Sequence, residues 1–231
     1  IDNGQGGDLG RDTVIGGLGN DTIQGGNGDD EFRGADGNDL IFGRLGNDSL
    51  FGGSHFDTLY GGEGSDTVDG GLGRDKAFMG AGDDLYIDNG QGGDLGRDTV
   101  IGGLGNDTIQ GGNGDDEFRG ADGNDLIFAR LGNDIVDGGA GDDSLTGGNG
   151  ADTFVFADGY GADQVSDFIV GSDKLQLDSG LWSGTLTEAE VVSQFASISG
   201  GDVIFNFGGG DALTLLGLTS TAGLDGDLIL V

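Results

Sequence analysis

Sixteen aspartates recur at a spacing of nine residues: Asp12, Asp21, Asp30, Asp39, Asp48, Asp57, Asp66, Asp75, Asp84, then Asp98, Asp107, Asp116, Asp125, Asp134, Asp143 and Asp152. Each stands sixth in a nonapeptide that in nearly every copy opens on glycine and carries an apolar residue in the eighth place, as in GGLGNDTIQ (16–24) and GGNGDDEFR (25–33). Carboxylates are hard oxygen ligands. The glycines of a GGxGxD bend accept positive φ at little steric cost, so the chain curls tightly and aims successive carbonyl oxygens inward, beside the carboxylate. Oxygen donors with no Cys and a single His suit Ca²⁺, which takes about 6 to 8 oxygens in flexible geometry, whereas Zn²⁺ asks for nitrogen or sulfur. The chemistry on offer is the binding of a hard divalent cation.

Composition points the same way. Over 231 residues, 42 acidic against 9 basic side chains give a formal net charge of -33. Such a charge repels nucleic-acid phosphates and anionic membranes and makes cations the natural partners. A chain this acidic and this polar stays disordered unless something neutralises it. The strict placement of its apolar residues argues against a solvated tail. With 56 Gly but no Pro it is not collagen, and with no Cys it has neither disulfides nor thiolate metal sites. No run of 18 apolar residues predicts a membrane-spanning helix. HExxH and GxSxG motifs are absent, and carboxylate pairs found among 42 acids have no diagnostic weight, so the expectation is a protein that is not an enzyme.

The nonapeptides form one run at 7–87 and another at 93–155, separated by the five-residue insert Asp88 to Gly92. Residues 1–42 recur unchanged at 87–128, an offset of 86, which reads as a block duplication. Ile1 fits the last place of a nonapeptide, so the sequence reads as a piece of something longer. One inward apolar residue between outward neighbours, bounded by glycines, predicts a strand of about three residues. Strands so short must stack on copies of themselves at roughly 4.8 Å per step. Carboxylates at that spacing repel by about 0.9 kcal/mol per neighbour even in bulk water. A divalent ion between turns reverses the sign. If each ion bridges a turn and the turn two phrases on, the two runs hold twelve ions, or fourteen if the stack runs through the insert. Two charges per ion then bring -33 to -9 or to -5. From residue 156 the phrases lengthen, and Thr187 to Glu190 forms a capping box before VVSQFA, predicting one helix to about Ala196. This segment reads as the cap that a repeat array needs at its end.

The phrase GGxGxDxUx, with U a large apolar residue, resembles the calcium-binding nonapeptide of the RTX (repeats in toxin) proteins, with sixteen copies across 7–155. The resemblance implies an all-β fold, a right-handed parallel β-roll with two nonapeptides per turn. It implies that Ca²⁺ is held by the sixth-place aspartates together with second- and fourth-place carbonyls. These are Gly17, Gly19, Gly26, Gly28, Gly62, Gly64, Gly71, Gly73, Gly103, Gly105, Gly112, Gly114, Gly139, Gly141, Gly148 and Gly150. GADTFVF (150–156) and SDFIVGSDKLQLD (166–178) look like the region that follows the repeats in serralysin-type secreted proteins. Asp225 and Asp227 before LILV resemble a terminus read by type I secretion machinery; the plain alternative is a last β-strand. The division implied is a β-roll over 1–155 and a capping and secretion-signal region over 156–231. The function implied is a non-catalytic calcium-binding module that folds after type I secretion, outside a Gram-negative bacterium, and stabilises or displays a larger protein. Alternatives are a structural or adhesive array, or a polysaccharide-binding module of a secreted enzyme such as an alginate epimerase or a serralysin-like protease.

Some phrases depart from the pattern. His55 and Phe56 interrupt GGSHFD, Met79 and Ala129 replace first glycines, and Arg44, Arg130, Asp8 and Asp94 stand at second places. His55 reads as a loop substitution and not as a catalytic base, and a weakened ion site is expected at Asp57. Phe42, Tyr60 and Phe78, spaced by 18, predict an aromatic ladder on one outer face. It reads either as a surface for self-association or glycan stacking, or as one covered by loops or the cap.

Overall fold

The computed structural model describes residues 10–88 and 96–231. Ile1, Asp8, Asp94 and the insert beyond Asp88 lie outside the described residues. Each nonapeptide contributes one strand, and consecutive strands alternate between two sheets, so that two phrases complete one turn. One sheet runs Thr13–Leu18, Glu31–Asp36, Ser49–Ser54, Thr67–Leu72, Leu85–Ile87, Thr108–Gln110, Leu126–Leu131, Ser144–Asn149 and Ala162–Val165. The other runs Thr22–Gln24, Leu40–Leu45, Thr58–Glu63, Lys76–Ala81, Thr99–Leu104, Glu117–Asp122, Ile135–Ala140, Thr153–Phe156, Lys174–Leu177 and Leu228–Leu230. All these neighbours are parallel, making an all-β solenoid of about nine turns, the expected β-roll.

Most strands are six residues long, twice the expected length. The reason lies in the glycine pair. It stays in register with its counterpart one turn away, Gly62 opposite Gly80 for example, and extends the ladder beyond the apolar residue. Among the described residues, the three-residue strand occurs only at Thr22–Gln24, Leu85–Ile87, Thr108–Gln110 and in the terminal Leu228–Leu230.

Alternation decides the core. Eighth-place side chains from Ile23 to Phe154 are buried, as predicted, and fill the space between the sheets. Two of the departures fill it further: Met79 and Ala129, at first places, are both fully buried. Met79 stands two residues from Ala77, the smallest eighth-place residue, so total core volume is kept.

The stack crosses the insert without a break. Thr99 pairs with Lys76 and Thr108 with Leu85, a step of 23 residues where 18 is the rule. The duplicated block counts nine phrases plus the insert, and nine is odd. Thr13–Leu18 and its identical copy Thr99–Leu104 therefore lie in opposite sheets.

Parallel pairing also continues past residue 155, through Ala162–Val165 and Lys174–Leu177, and ends on Leu228–Leu230, the plain last strand. The dedicated cap is correspondingly compact. Ala196–Ser199, Asp202–Gly208 and Asp211–Leu215 pair antiparallel at the end of the first sheet. The predicted helix is present at Glu188–Phe195, where the backbone N–H and hydroxyl of Thr187 both donate to Glu190 at 2.9 Å. Phe207 gathers Phe156, Trp182, Phe195 and Phe205 around it, with ring centroids 5.1 to 6.2 Å away. This apolar lid covers the end of the core.

The aromatic ladder forms. Phe42, Tyr60 and Phe78 stack with centroids 4.9 Å apart and planes within 9° of parallel. Because the rings face one another along the stack, Tyr60 has no face to offer a sugar ring, and the contact stabilises the roll itself. Tyr60→Ser is expected to destabilise the calcium-loaded protein by about 1–3 kcal/mol, two aromatic contacts at their usual worth. Urea unfolding at saturating calcium measures this, and an unchanged midpoint would refute it.

Candidate metal centre

The sixteen aspartates form two columns, one along each edge of the roll. In one, the backbone N–H of Asp12, Asp30, Asp48, Asp66, Asp84, Asp107, Asp125 and Asp143 donates to Oδ1 of the next aspartate in the column at 2.7–3.0 Å. The other column links Asp21, Asp39, Asp57, Asp75, Asp98, Asp116, Asp134 and Asp152 at 2.7–3.1 Å. The columns run on into Asp163 and Asp173, which follow at steps of 20 and 21 residues. The nine-residue count missed both, although each retains the fragment Gly-x-Asp-x-apolar, as in GADQV and GSDKL.

A second, unforeseen ladder runs the opposite way. Fifth-place Asn and Asp side chains accept from the backbone N–H of the following turn, as Asn20 does from Asn38, Asp29 from Asn47 and Asn106 from Asn124, at 2.8–2.9 Å. The signal was in the sequence: the x before each aspartate is most often Asn or Asp.

One oxygen of each sixth-place carboxylate from Asp30 to Asp152 thus accepts from the turn before. In most of them the other has no such donor. Oδ2 of Asp30, Asp39, Asp48, Asp57, Asp66, Asp84, Asp107, Asp116, Asp125, Asp134 and Asp143 is buried with no hydrogen-bond partner. An ionised carboxylate out of water without full pairing is strongly unfavourable. Burial, more than the repulsion of neighbouring aspartates, pushes up those from Asp48 to Asp143 against the pull of the donated N–H. Asp48, Asp57, Asp84, Asp125 and Asp143 rise to about 6, Asp66 and Asp134 to about 7, and Asp116 to about 8.

The glycine bend shapes the space around these oxygens. A Cβ at first-place Gly34 would lie 2.1 Å from Asp39 Oδ2 and 2.6 Å from the Gly52 carbonyl oxygen. Second- and fourth-place glycines take positive φ, for instance 128° at Gly62 and 124° at Gly64, where a Cβ would strike the carbonyl oxygens of Arg44 and Gly46 at 2.1 Å. Gly17, Gly19, Gly28, Gly71, Gly73, Gly103, Gly105, Gly114, Gly139, Gly141, Gly148 and Gly150 share that region. Gly112 does not. Its carbonyl accepts from Leu131 N–H at 3.3 Å, as Gly26 does from Leu45. Arg44, His55 and Arg130 adopt φ of 83–89° despite their side chains, a strain of roughly 1–2 kcal/mol each. Asp57 keeps the column geometry in spite of His55, whose Nδ1 lies 3.2 Å from Asp36.

Among the described residues no three acidic or His side chains converge. A cation here must therefore combine carboxylate oxygens with backbone carbonyls. The donor set is hard oxygen alone, the orphaned Oδ2 atoms demand a positive partner, and calcium fits both conditions.

At the seam the pattern changes. The buried Tyr86 hydroxyl, at an eighth place, crosses the core and donates to Asp98 Oδ2 at 3.2 Å. It stands next to Gly70, with the charges of Asp75, Asp88 and Asp98 around it, and burial pushes its pKa well above that of free phenol. Sequence spacing gives no hint of a contact across the insert.

Fold and columns together define a parallel β-roll built on stacked acidic nonapeptides. The chain belongs to the RTX calcium-binding nonapeptide repeat family, whose profile matches residues 6–41, 42–77, 51–86, 92–127, 119–154 and 128–163. Calcium binding follows from that membership. Among solved structures, the extracellular lipase LipA from Serratia marcescens aligns at 22% identity and a TM-score of 0.45 over 97% of this chain. The chain spans 40% of the lipase's length. A subunit, AlgE6R3, of the Azotobacter vinelandii mannuronan C5-epimerase aligns at 27% identity and a TM-score of 0.43, over 54% of this chain and 78% of its own. A search of curated proteins by sequence finds no match.

Two predictions concern these carboxylates. The folded, metal-free roll holds protons at acids raised to between about 6 and 8, whereas the unfolded chain releases them near the ordinary 3.8. Burial of charge therefore opposes the fold most above about pH 8, and the penalty fades as pH falls toward 4. In excess chelator, β-sheet circular dichroism should grow as the buffer is taken from about pH 8 to pH 4.5; a flat signal would overturn this. Tyr86→Phe leaves Asp98 Oδ2 without that donor and should cost about 1–3 kcal/mol in chemical denaturation at saturating calcium.

Proposed function

We propose that this chain is a non-catalytic module that binds calcium through its two aspartate columns, folds on binding after type I export, and stabilises or displays a larger extracellular protein. The observation that supports it is the row of buried, unpartnered Oδ2 atoms, repeated turn after turn. Where calcium is scarce, carboxylate repulsion keeps the chain extended and threadable. At the millimolar calcium outside cells, sites of extracellular-type affinity fill and the strands stack. The sixth-place Asp carboxylates and the second- and fourth-place carbonyls are the ligands. Two columns of eight repeat aspartates leave seven intervals each, so the unbroken stack favours fourteen ions, which would bring -33 to -5. The same sequence has no catalytic motif, and no helix is long and apolar enough to cross a membrane among the described residues.

Asp66→Asn keeps the accepting oxygen but removes one ligand charge at mid-stack. The calcium midpoint followed by circular dichroism is expected to rise roughly 2- to 10-fold, since ligand charge count sets affinity. Native circular dichroism of the unmodified chain in excess chelator at neutral pH would sink the proposal.

A further inference from the structure

The aspartate columns end differently from the way they run. Beyond Asp163 and Asp173 stand Asp211 and Asp227, each leading into a last paired strand, Asp211–Leu215 and Leu228–Leu230. At these ends the protein itself serves the carboxylates. Asp173 Oδ2 accepts from Ile169 N–H at 2.7 Å. Asp211 Oδ1 accepts from the N–H groups of Gly159 and Gly161 at 3.2 and 3.1 Å.

Asp227 receives a cation. Its Oδ1 is 2.7 Å from the Lys174 ammonium, and its Oδ2 accepts from Gly171 N–H at 2.7 Å. Lys174 Nζ also donates to the Gly226 carbonyl at 3.0 Å. The Asp227 side chain is 3% exposed, and among the described residues this is the one salt bridge whose carboxylate is buried. One carboxylate and one glycine carbonyl are the two donor classes that the repeat bends hold out to calcium.

We propose that the Lys174 ammonium is a tethered cation that closes the last turn, so that residues 174–231 keep their fold without metal. A single charge is enough here. Asp173 and Asp227 are both buried at this step, and backbone N–H groups already serve both oxygens of Asp173 and the second oxygen of Asp227. The segment buries Leu175, Leu177, Val191, Phe205, Leu215 and Leu224 in the end of the continuous apolar core. The proposal rests on calcium holding the repeats, and it assigns the metal-free end of the same columns.

The test is hydrogen exchange read by mass spectrometry on the full chain, with saturating calcium and with excess chelator, for the unmodified protein, Lys174→Met and Lys174→Arg. In chelator, amides of 174–231 are expected to stay protected while those of 13–156 exchange freely. Lys174→Met should lose that protection and Lys174→Arg should keep it. Free exchange of 174–231 in the chelated unmodified protein overturns the proposal, as does full protection in Lys174→Met. If Lys174→Met fails to fold even with calcium, the unmodified and Lys174→Arg proteins in chelator still decide. Protection of 13–156 in chelator would instead count against calcium-dependent folding of the repeats, and the comparison over 174–231 would stand apart from it.

Discussion

A carboxylate taken out of water and given half its hydrogen bonds is the constraint on which this molecule depends. Its apolar side chains favour stacking, one per phrase, and every step of the stack removes another aspartate from solvent. Desolvation is the larger opposing effect, with column repulsion added to it, as at Asp66 and Asp116. A positive charge between the turns offsets that cost, and the glycine bends are the geometry that lets backbone oxygen share the work of the acids.

The turns are tied together twice. Sixth-place carboxylates accept from the turn before, and fifth-place amides and carboxylates, where present, from the turn after, so bends with Asn or Asp in the fifth place are fixed in both directions along the axis. This leaves little freedom for slippage. A shift of one residue would move every eighth-place side chain from core to solvent and every Oδ1 away from its donor. The five-residue insert is tolerated because the stack continues across it, with Thr99 beside Lys76, without disturbing the pairing of the flanking strands.

Much of this was legible from residues alone, for a physical reason: period nine forces position to repeat. The inward eighth place, the aspartate columns, the stacked Phe42, Tyr60 and Phe78, and the capped helix at Glu188–Phe195 all follow from spacing and local propensity. Strand length did not, because the pairing of the glycines depends on neighbours a turn away. The column members Asp163 and Asp173 were hidden once the spacing changed. Contacts such as Tyr86 to Asp98 and Lys174 to Asp227 join residues 12 and 53 apart, and only the coil brings them together.

The odd count of phrases in the duplicated block has a geometric outcome. Identical sequence is shown from opposite sides of one molecule: Arg33 lies over Phe51 on one sheet, while its copy Arg119 sits in register with Asp137 on the other. A reagent raised against one surface of the block would find two epitopes facing apart and would bridge molecules into networks. An even count would have set both copies side by side and invited bivalent capture on a single face. Copying by odd steps makes the roll two-sided.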